Sequence, residues 1–403
     1  MSTTNIDTKN FTPPPAMLTE IRTMALFAAL VGGAGLVIAG FLNFQEFLRG
    51  YLIAYIYVLG LSLGGLALLM TGHLTGGNWW MLGRRIFEAA GRCIPMLAIL
   101  FLPILLGSKQ LYSWMTIDPA TDKMLSMKAW WLNYHWWVGR AIIYFVIWIL
   151  LSVFLTRLSW QQDESASPAI WRSMKVISGI GILIWAWTLT GAVVDWGMSL
   201  DPHWYSTIYG MIFMIGEALS MMAFTIIVLS LLSKYSPMNE VLRPDRLHDV
   251  GKLLLAFTMV WAYFSFSQWL IIWMGNLPDE ISWYLHRIKS GWGYIALLLI
   301  FVQFALPFAL LLSRDLKRNP KKLIPIALIV ILGRWVDLYW YIVPNELPGQ
   351  AAPSLHFHWS YIAAMVGLGG IWVAAFCTFL GKRPLLVRNE PMLPRLWEPS
   401  HGH

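Results

Sequence analysis

Ten stretches of this chain run about twenty residues with almost no charge, and little else is left over to fold. They fall near 22–42, 51–72, 89–107, 132–156, 173–194, 206–232, 250–275, 291–313, 323–343 and 357–381. A helix needs about 20 apolar residues to cross a hydrocarbon core of about 30 Å. Lipid offers no partner to an unpaired backbone N–H or C=O, so most of such a chain is helical. The sequence therefore predicts an all-α polytopic membrane protein with ten transmembrane helices. Composition agrees: 58% of residues are hydrophobic and 12% charged, which no soluble globular domain matches. The 24 Trp mostly flank the apolar runs, as interfacial anchors do.

Lys and Arg divide unequally between the two sides. The N-terminus (Lys9, Arg22), the loops near 84, 165, 243 and 318, and the tail carry most of them. The opposite loops carry only Arg49, Lys109, Lys123, Lys128, Arg287 and Lys289. By the positive-inside rule both termini are expected in the cytoplasm, and 195–210 on the outer side of the membrane. The net charge of +8 reads as this topology signal and calls for no nucleic acid. Residues 1–21 are polar, with Pro13-Pro14-Pro15 ahead of a run too long for a signal core, so no cleavable signal peptide is expected.

The two cysteines, Cys93 and Cys377, lie in separate apolar runs with no C-x-x-C or C-x-x-C-H. The chain therefore offers no iron–sulfur ligand set and no covalent haem site. His135, His203, His286, His356 and His358 fall at the outer side, His73 and His248 at the inner side, and His401 and His403 in the tail. No span has a histidine near its middle, so haem b is not expected. His356 and His358 are spaced i, i+2 and do not share a helix face, so a metal site with His203 is not expected either.

The chemically densest stretch is DWGMSLDPHWYSTIYG, Asp195 to Gly210. Asp201-Pro202 reads as a helix start, with Asp as N-cap and Pro at the first helical position. A capped turn in an aromatic belt accounts for most of the loop, but less well for Asp195 and His203. Within the spans, ionisable groups are few and by default mark a pathway or a buried pair. Glu217 lies about 11 residues into span six, so about 16 Å deep. Arg334 and Asp337 sit at i, i+3 on span nine, where a closed ion pair satisfies both. If spans six and nine are neighbours, Arg334 reaches Glu217. Arg140 shares a face of span four with Asn133 at i, i+7. Ser265, Gln268 and Gln303 on spans seven and eight are expected in interhelical hydrogen bonds before any proton wire. The candidate proton path is Glu217, Asp337, Arg334, Gln268, Ser265 and Gln303, with Asp195 and His203 at its outer end. A faint repeat also appears: Trp114-Met115 with Pro119 matches Trp273-Met274 with Pro278, and at the same offset Lys128 matches Arg287 and Arg84 matches Arg243.

The stretch WAWTLTGAVVDWGMSLDPHWYSTIYG (Trp185–Gly210) and the segment KAWWLNYHWWVGR (Lys128–Arg140) resemble the polysulfide-reductase-type (NrfD-like) membrane subunits of alternative complex III, a quinol-oxidising bacterial complex. The likeness is to the smaller of its two such subunits and extends over essentially the whole chain. It implies two four-helix bundles, spans two to five and six to nine, flanked by spans one and ten. The division expected is a polar N-terminus (1–21), a first span (22–50), a first bundle (51–194) and an outer connecting loop (195–205). A second bundle (206–343), a loop with the tenth span (344–381) and a tail (382–403) follow. The resemblance further implies a non-redox subunit that binds no cofactor except, as an open case, quinone. Its implied partners are a larger NrfD-like sister subunit, a periplasmic iron–sulfur subunit, haem c subunits, lipids and a haem–copper oxygen reductase. Lys128, Asn133, His135 and Arg140 form a quinol-binding or structural polar cluster on this reading. Two competing readings stand beside it: a stand-alone secondary transporter using Glu217, Arg334 and Asp337, and a scaffold that conducts nothing.

Overall fold

The computed structural model describes residues 11–398; Lys9, His401 and His403 lie outside them. Ten helices are long and apolar enough to cross a membrane. They are α1 (Pro15–Leu42), α2 (Phe44–Thr75), α3 (Asn78–Leu106), α4 (Tyr134–Glu164), α5 (Pro168–Leu200), α6 (Tyr209–Leu232), α7 (Pro244–Gly275), α8 (Trp292–Leu312), α9 (Pro320–Ile342) and α10 (Ser360–Leu380). No β-strand occurs among the described residues. The chain is an all-α polytopic membrane protein.

Several helices start earlier than the apolar runs do, because their first turns neutralise their own charge. Asn43 caps α2, its Oδ1 accepting from Glu46 N at 3.2 Å, and Glu46 pairs with Arg49 at 2.7 Å. The helix thus gains a full charged turn before the apolar run at 51. In α3, Arg84 and Arg85 both bond Glu88, at 3.1 and 2.6 Å. Arg84 also reaches Glu390 of the tail at 2.8 Å, and Arg85 pairs with Asp163 of α4. Arg84, Arg85 and Arg49 are therefore buried, not the free loop charges the sequence suggested. One helix start fails outright. Asp201-Pro202 opens a turn, with Asp201 Oδ1 accepting from His203 N at 3.3 Å, and α6 begins only at Tyr209.

An even number of crossings brings the two ends of the described chain to one face. There Leu385 N donates to Phe11 O at 2.8 Å and Phe11 stacks on Trp397. This is the terminal face; the other is the loop face. Helices α2 to α5 close one ring and α6 to α9 a second, with α2 packed against α6 and the α1–α10 pair beside α2. The matched residues of the repeat fall on corresponding elements: Arg84 is the seventh residue of α3 and Arg243 just precedes α7, while Lys128 precedes α4 and Arg287 precedes α8.

The whole apolar window of α2 is buried, and glycine makes that possible. A Cβ on Gly64 would overlap the Glu217 carbonyl of α6, and one on Gly60 would lie 3.0 Å from Glu217 Cγ. Likewise a Cβ on Gly32 of α1 would overlap the backbone of Gly367 in α10. Backbones in lipid approach this closely where small residues face each other.

Candidate functional site

At the end of α5 the Asp195 carboxylate is wholly buried. Arg140 of α4 grips it with two bonds, Nε to Oδ2 at 2.8 Å and Nη2 to Oδ1 at 2.7 Å, and Tyr144 Oη donates at 3.1 Å. Trp137 Nε1 and Ser199 Oγ both donate to the Asp195 carbonyl. The Arg140 guanidinium also lies over the Trp131 ring at 4.1 Å. A bidentate Arg–carboxylate pair fixes orientation as well as charge. It joins α4 to α5 and locks the first ring at the loop face. Asp195, expected in the outer loop, lies instead in the last turn of α5 with its carboxylate bound by Arg140.

The cluster expected around Arg140 comes apart. Asn133 caps α4, its Oδ1 accepting from His135 N. His135 is exposed. Lys128 Nζ donates to Pro202 O at 2.6 Å, and burial pushes its ammonium below the ordinary lysine range. His203 is exposed and bonds Asp122 at 2.6 Å, which holds the Asp122 carboxyl below its usual range. Trp204 stacks on Trp283 at 4.5 Å and donates to Glu280 O at 3.1 Å. The connecting loop thus fastens the first ring to the helix Pro278–Lys289 before α8. His356 and His358 are held elsewhere, by Glu46 at 3.4 Å and by Ser360 at 2.7 Å.

The second ring holds the other acid–base pair. Arg334 and Asp337 form a closed, buried pair on α9, and Trp261 Nε1 of α7 donates to Asp337 Oδ2 at 3.3 Å. The Arg334 guanidinium rests on Gly216 and lies 5.0 Å from the Phe213 ring. No ion pair joins it to Glu217 among the described residues, so the expected Arg334–Glu217 pair is absent. Glu217 sits eight residues after Tyr209, about 12 Å along α6. Its Oε2 has no partner among the described residues. It lies in the α2–α6 crossing between the rings, rather than inside the second one.

Gln268 makes the contacts expected of it, accepting from Ser206 Oγ at 2.8 Å and donating to Tyr284 Oη at 3.2 Å. Ser265 and Gln303 do not. Ser265 Oγ and both amide atoms of Gln303 are buried without a partner among the described residues. Gln303 lies in a π-helical stretch of α8, Ile300–Ala305, pressed against Gly333 of α9. π-turns inside α-helices recur at functional sites.

Sequence reasoning missed the groups linking this region to the loop face. Glu46 accepts from Tyr361 Oη. Arg49 Nη2 donates to Asn345 O at 3.2 Å, and Arg287 Nη2 to Asn345 Oδ1 and Tyr341 O at 3.3 Å each. Tyr341 follows Asp337 by one turn of α9. Contacts therefore run from His356 through Glu46, Arg49 and Asn345 to Arg287; among the described residues no hydrogen bond carries on from Arg287 to Asp337 or from Arg334 to Glu217. The next buried side chains of α6 after Glu217 include Ala218, Leu219, Met221 and Met222; Ser220 and Thr225 bond back to their own helix, and Ser230 Oγ farther along is buried without a partner among the described residues. The one cue in the sequence was that Glu46 and Arg49, at i, i+3, could neutralise each other.

Between α7, α8 and α9 lies a cleft of about 680 Å³, lined by Trp261, Ser265, Trp269, Tyr284, Arg287 and Asp337 among mostly apolar side chains. A smaller polar cleft of about 240 Å³ opens at the loop face beside Asp201, His203, His286 and Glu346. Arg287 borders both. No family model matches this chain, and no curated protein matches it.

Proposed function

We propose that the chain is an integral subunit of a quinol-oxidising respiratory complex of the alternative complex III type, in the bacterial inner membrane. On this reading it anchors electron-carrying partners on the loop face and exchanges protons between that face and Glu217. The observation that carries the proton part is Glu217 itself, a buried carboxyl with an unpartnered oxygen eight residues into α6, together with the contacts that run inward from His356 as far as Arg287. An ionisable group buried at that depth is by default part of a proton or ion pathway. The partner part rests on the resemblance of Trp185–Gly210 and Lys128–Arg140. It is supported by the aromatic contacts that fuse the loops of both rings into one cap. The expected partners are the larger NrfD-like sister subunit, an iron–sulfur subunit and haem c subunits, with a haem–copper oxygen reductase and lipids beyond them. The electron carriers belong to those partners, and quinol is the substrate of the assembly.

The secondary-transporter reading draws on the two related rings and the π-stretch at 300–305, since repeats and broken helices mark transporter sites. One experiment separates the two. The chain is tagged at its C-terminus and purified in mild detergent from its native membrane. A respiratory subunit brings haem-bearing and iron–sulfur companions and quinol-dependent electron transfer with it; a transporter comes out alone and without haem absorbance.

A further inference from the structure

Arg287 is a buried cation with no direct ion pair among the described residues, although the Asp201 carboxylate lines the smaller cleft with it. It is 2% exposed, and its hydrogen bonds go to two carbonyls and one amide oxygen. No carboxylate pairs with it among the described residues, and its Nε has no partner there. Its guanidinium lies 3.3 Å from the centre of the Trp283 ring. Burial pushes it down to about 9, so it still carries its charge at neutral pH. A buried charge of this kind is costly unless something of opposite sign meets it.

The cleft beside it has the shape and polarity of an amphiphile site. Arg287, Tyr284 and Trp340 line the end next to the loop face, and Met259 and Phe304 the end nearer mid-membrane. From Trp269 to Met259 along α7 is ten residues, about 15 Å. The cleft opens sideways, since Tyr263, Phe266 and Ile300 on its rim are each more than half exposed. A second buried polar atom without a partner, Ser265 Oγ, borders it. The helix Pro278–Lys289 lies just beyond the span α7, so the guanidinium sits at headgroup level and the apolar channel at the level of acyl chains.

We propose that this cleft is a binding site for one anionic phospholipid, its phosphate paired with Arg287 and one acyl chain lying along α7 and α8. The site shares Arg287 with the polar groups that run inward from His356, and it does not depend on the identity of the complex.

The test uses the full protein with whatever subunits accompany it, purified in mild detergent. Delipidated samples receive dioleoylphosphatidylglycerol or dioleoylphosphatidylcholine, each also as a chain-diazirine analogue, and bound lipid is counted by native mass spectrometry. Phosphatidylglycerol should be retained and should label peptides within 259–269 and 293–304. Arg287→Gln should weaken its retention about tenfold, the loss of one charge-assisted contact, while Arg287→Lys stays within a few-fold of the parent. Ala296→Phe fills the channel and should abolish labelling there with Arg287 intact. Equal retention of phosphatidylcholine, labelling elsewhere, or full displacement by inorganic phosphate alone would overturn the proposal. If neither Arg287 variant folds, the lipid comparison on the parent and the Ala296→Phe variant decide it.

Discussion

Arg334 lies against Gly216, the neighbour of Glu217, yet gives its ion pair to Asp337 on its own helix. The closest large cation to the mid-membrane carboxyl is thus already committed. Glu217 is left between α2 and α6 with an unpaired oxygen, in room that Gly60 and Gly64 provide. A clamped carboxylate fixes structure, whereas an unclamped one can change its protonation without breaking a pair. That difference separates Glu217 from Asp195, which Arg140 holds with two bonds.

Breaking the Arg140–Asp195 pair should cost much more than removing it whole. Arg140→Leu leaves a wholly buried carboxylate unmatched, and a loss of about 3–5 kcal/mol is expected. The double variant Arg140→Met with Asp195→Leu should recover most of it. Thermal unfolding in detergent reads both; a single variant as stable as the parent would remove the pair from any part in locking α4 to α5.

Gly64→Ala places a methyl group on the Glu217 carbonyl and forces the two rings apart. Overpacking of this kind costs about 1–3 kcal/mol. Gly33→Ala, where a Cβ meets nothing within 4 Å, should melt with the parent. Identical melting of both variants would mean that α2 and α6 do not meet this closely.

The Asp122–His203 contact sets a pH limit on the loop-face cap. The Asp122 carboxyl titrates lower in the folded chain than the usual value of about 3.9. Its contribution is therefore full above the unfolded value and disappears as pH falls through the folded one. Met124 N and Leu125 N both donate to Asp122 Oδ1, so their hydrogen-exchange protection, corrected for intrinsic rate, should drop once pH passes below about 4. Asp122→Asn should show no such step. A parent protein protected equally at low and neutral pH would contradict the assignment.

Orientation follows from Lys and Arg even after the buried ones are set aside. Arg157, Arg172, Lys175, Arg314, Lys321 and Lys322 are among those that remain at the terminal face, against Lys109, Lys123, Lys128 and Lys289 at the other. Positive charge is retained on the cytoplasmic side. A phosphatase reporter fused at the C-terminus should be inactive and one inserted near 119 active; the reverse pattern would invert the topology.

The number and place of the helices were legible because hydropathy over twenty residues is a strong, local signal. Their true starts were not, since Glu46–Arg49 and Arg84–Arg85–Glu88 look like loop charges until their pairing is visible. The Arg334–Asp337 pair could be read from i, i+3 spacing alone. Arg140–Asp195 could not, because its partners are 55 residues apart and meet only when α4 packs on α5. The position of Glu217 between the rings depended on α2, a helix whose only hint was Gly60 and Gly64. Arg287 was read as a loop cation, and only tertiary packing shows that it is buried without a direct ion pair among the described residues.

The role of Glu217 is tested most directly in the purified complex reconstituted into sealed vesicles, by counting protons moved per electron delivered from quinol. Glu217→Gln keeps the side-chain shape and removes the titratable proton. The complex should assemble and electrons should flow, with the proton-to-electron ratio reduced. An assembled Glu217→Gln complex with an unchanged ratio and unchanged turnover would contradict it, and would leave Glu217 a polar residue tolerated at a helix crossing.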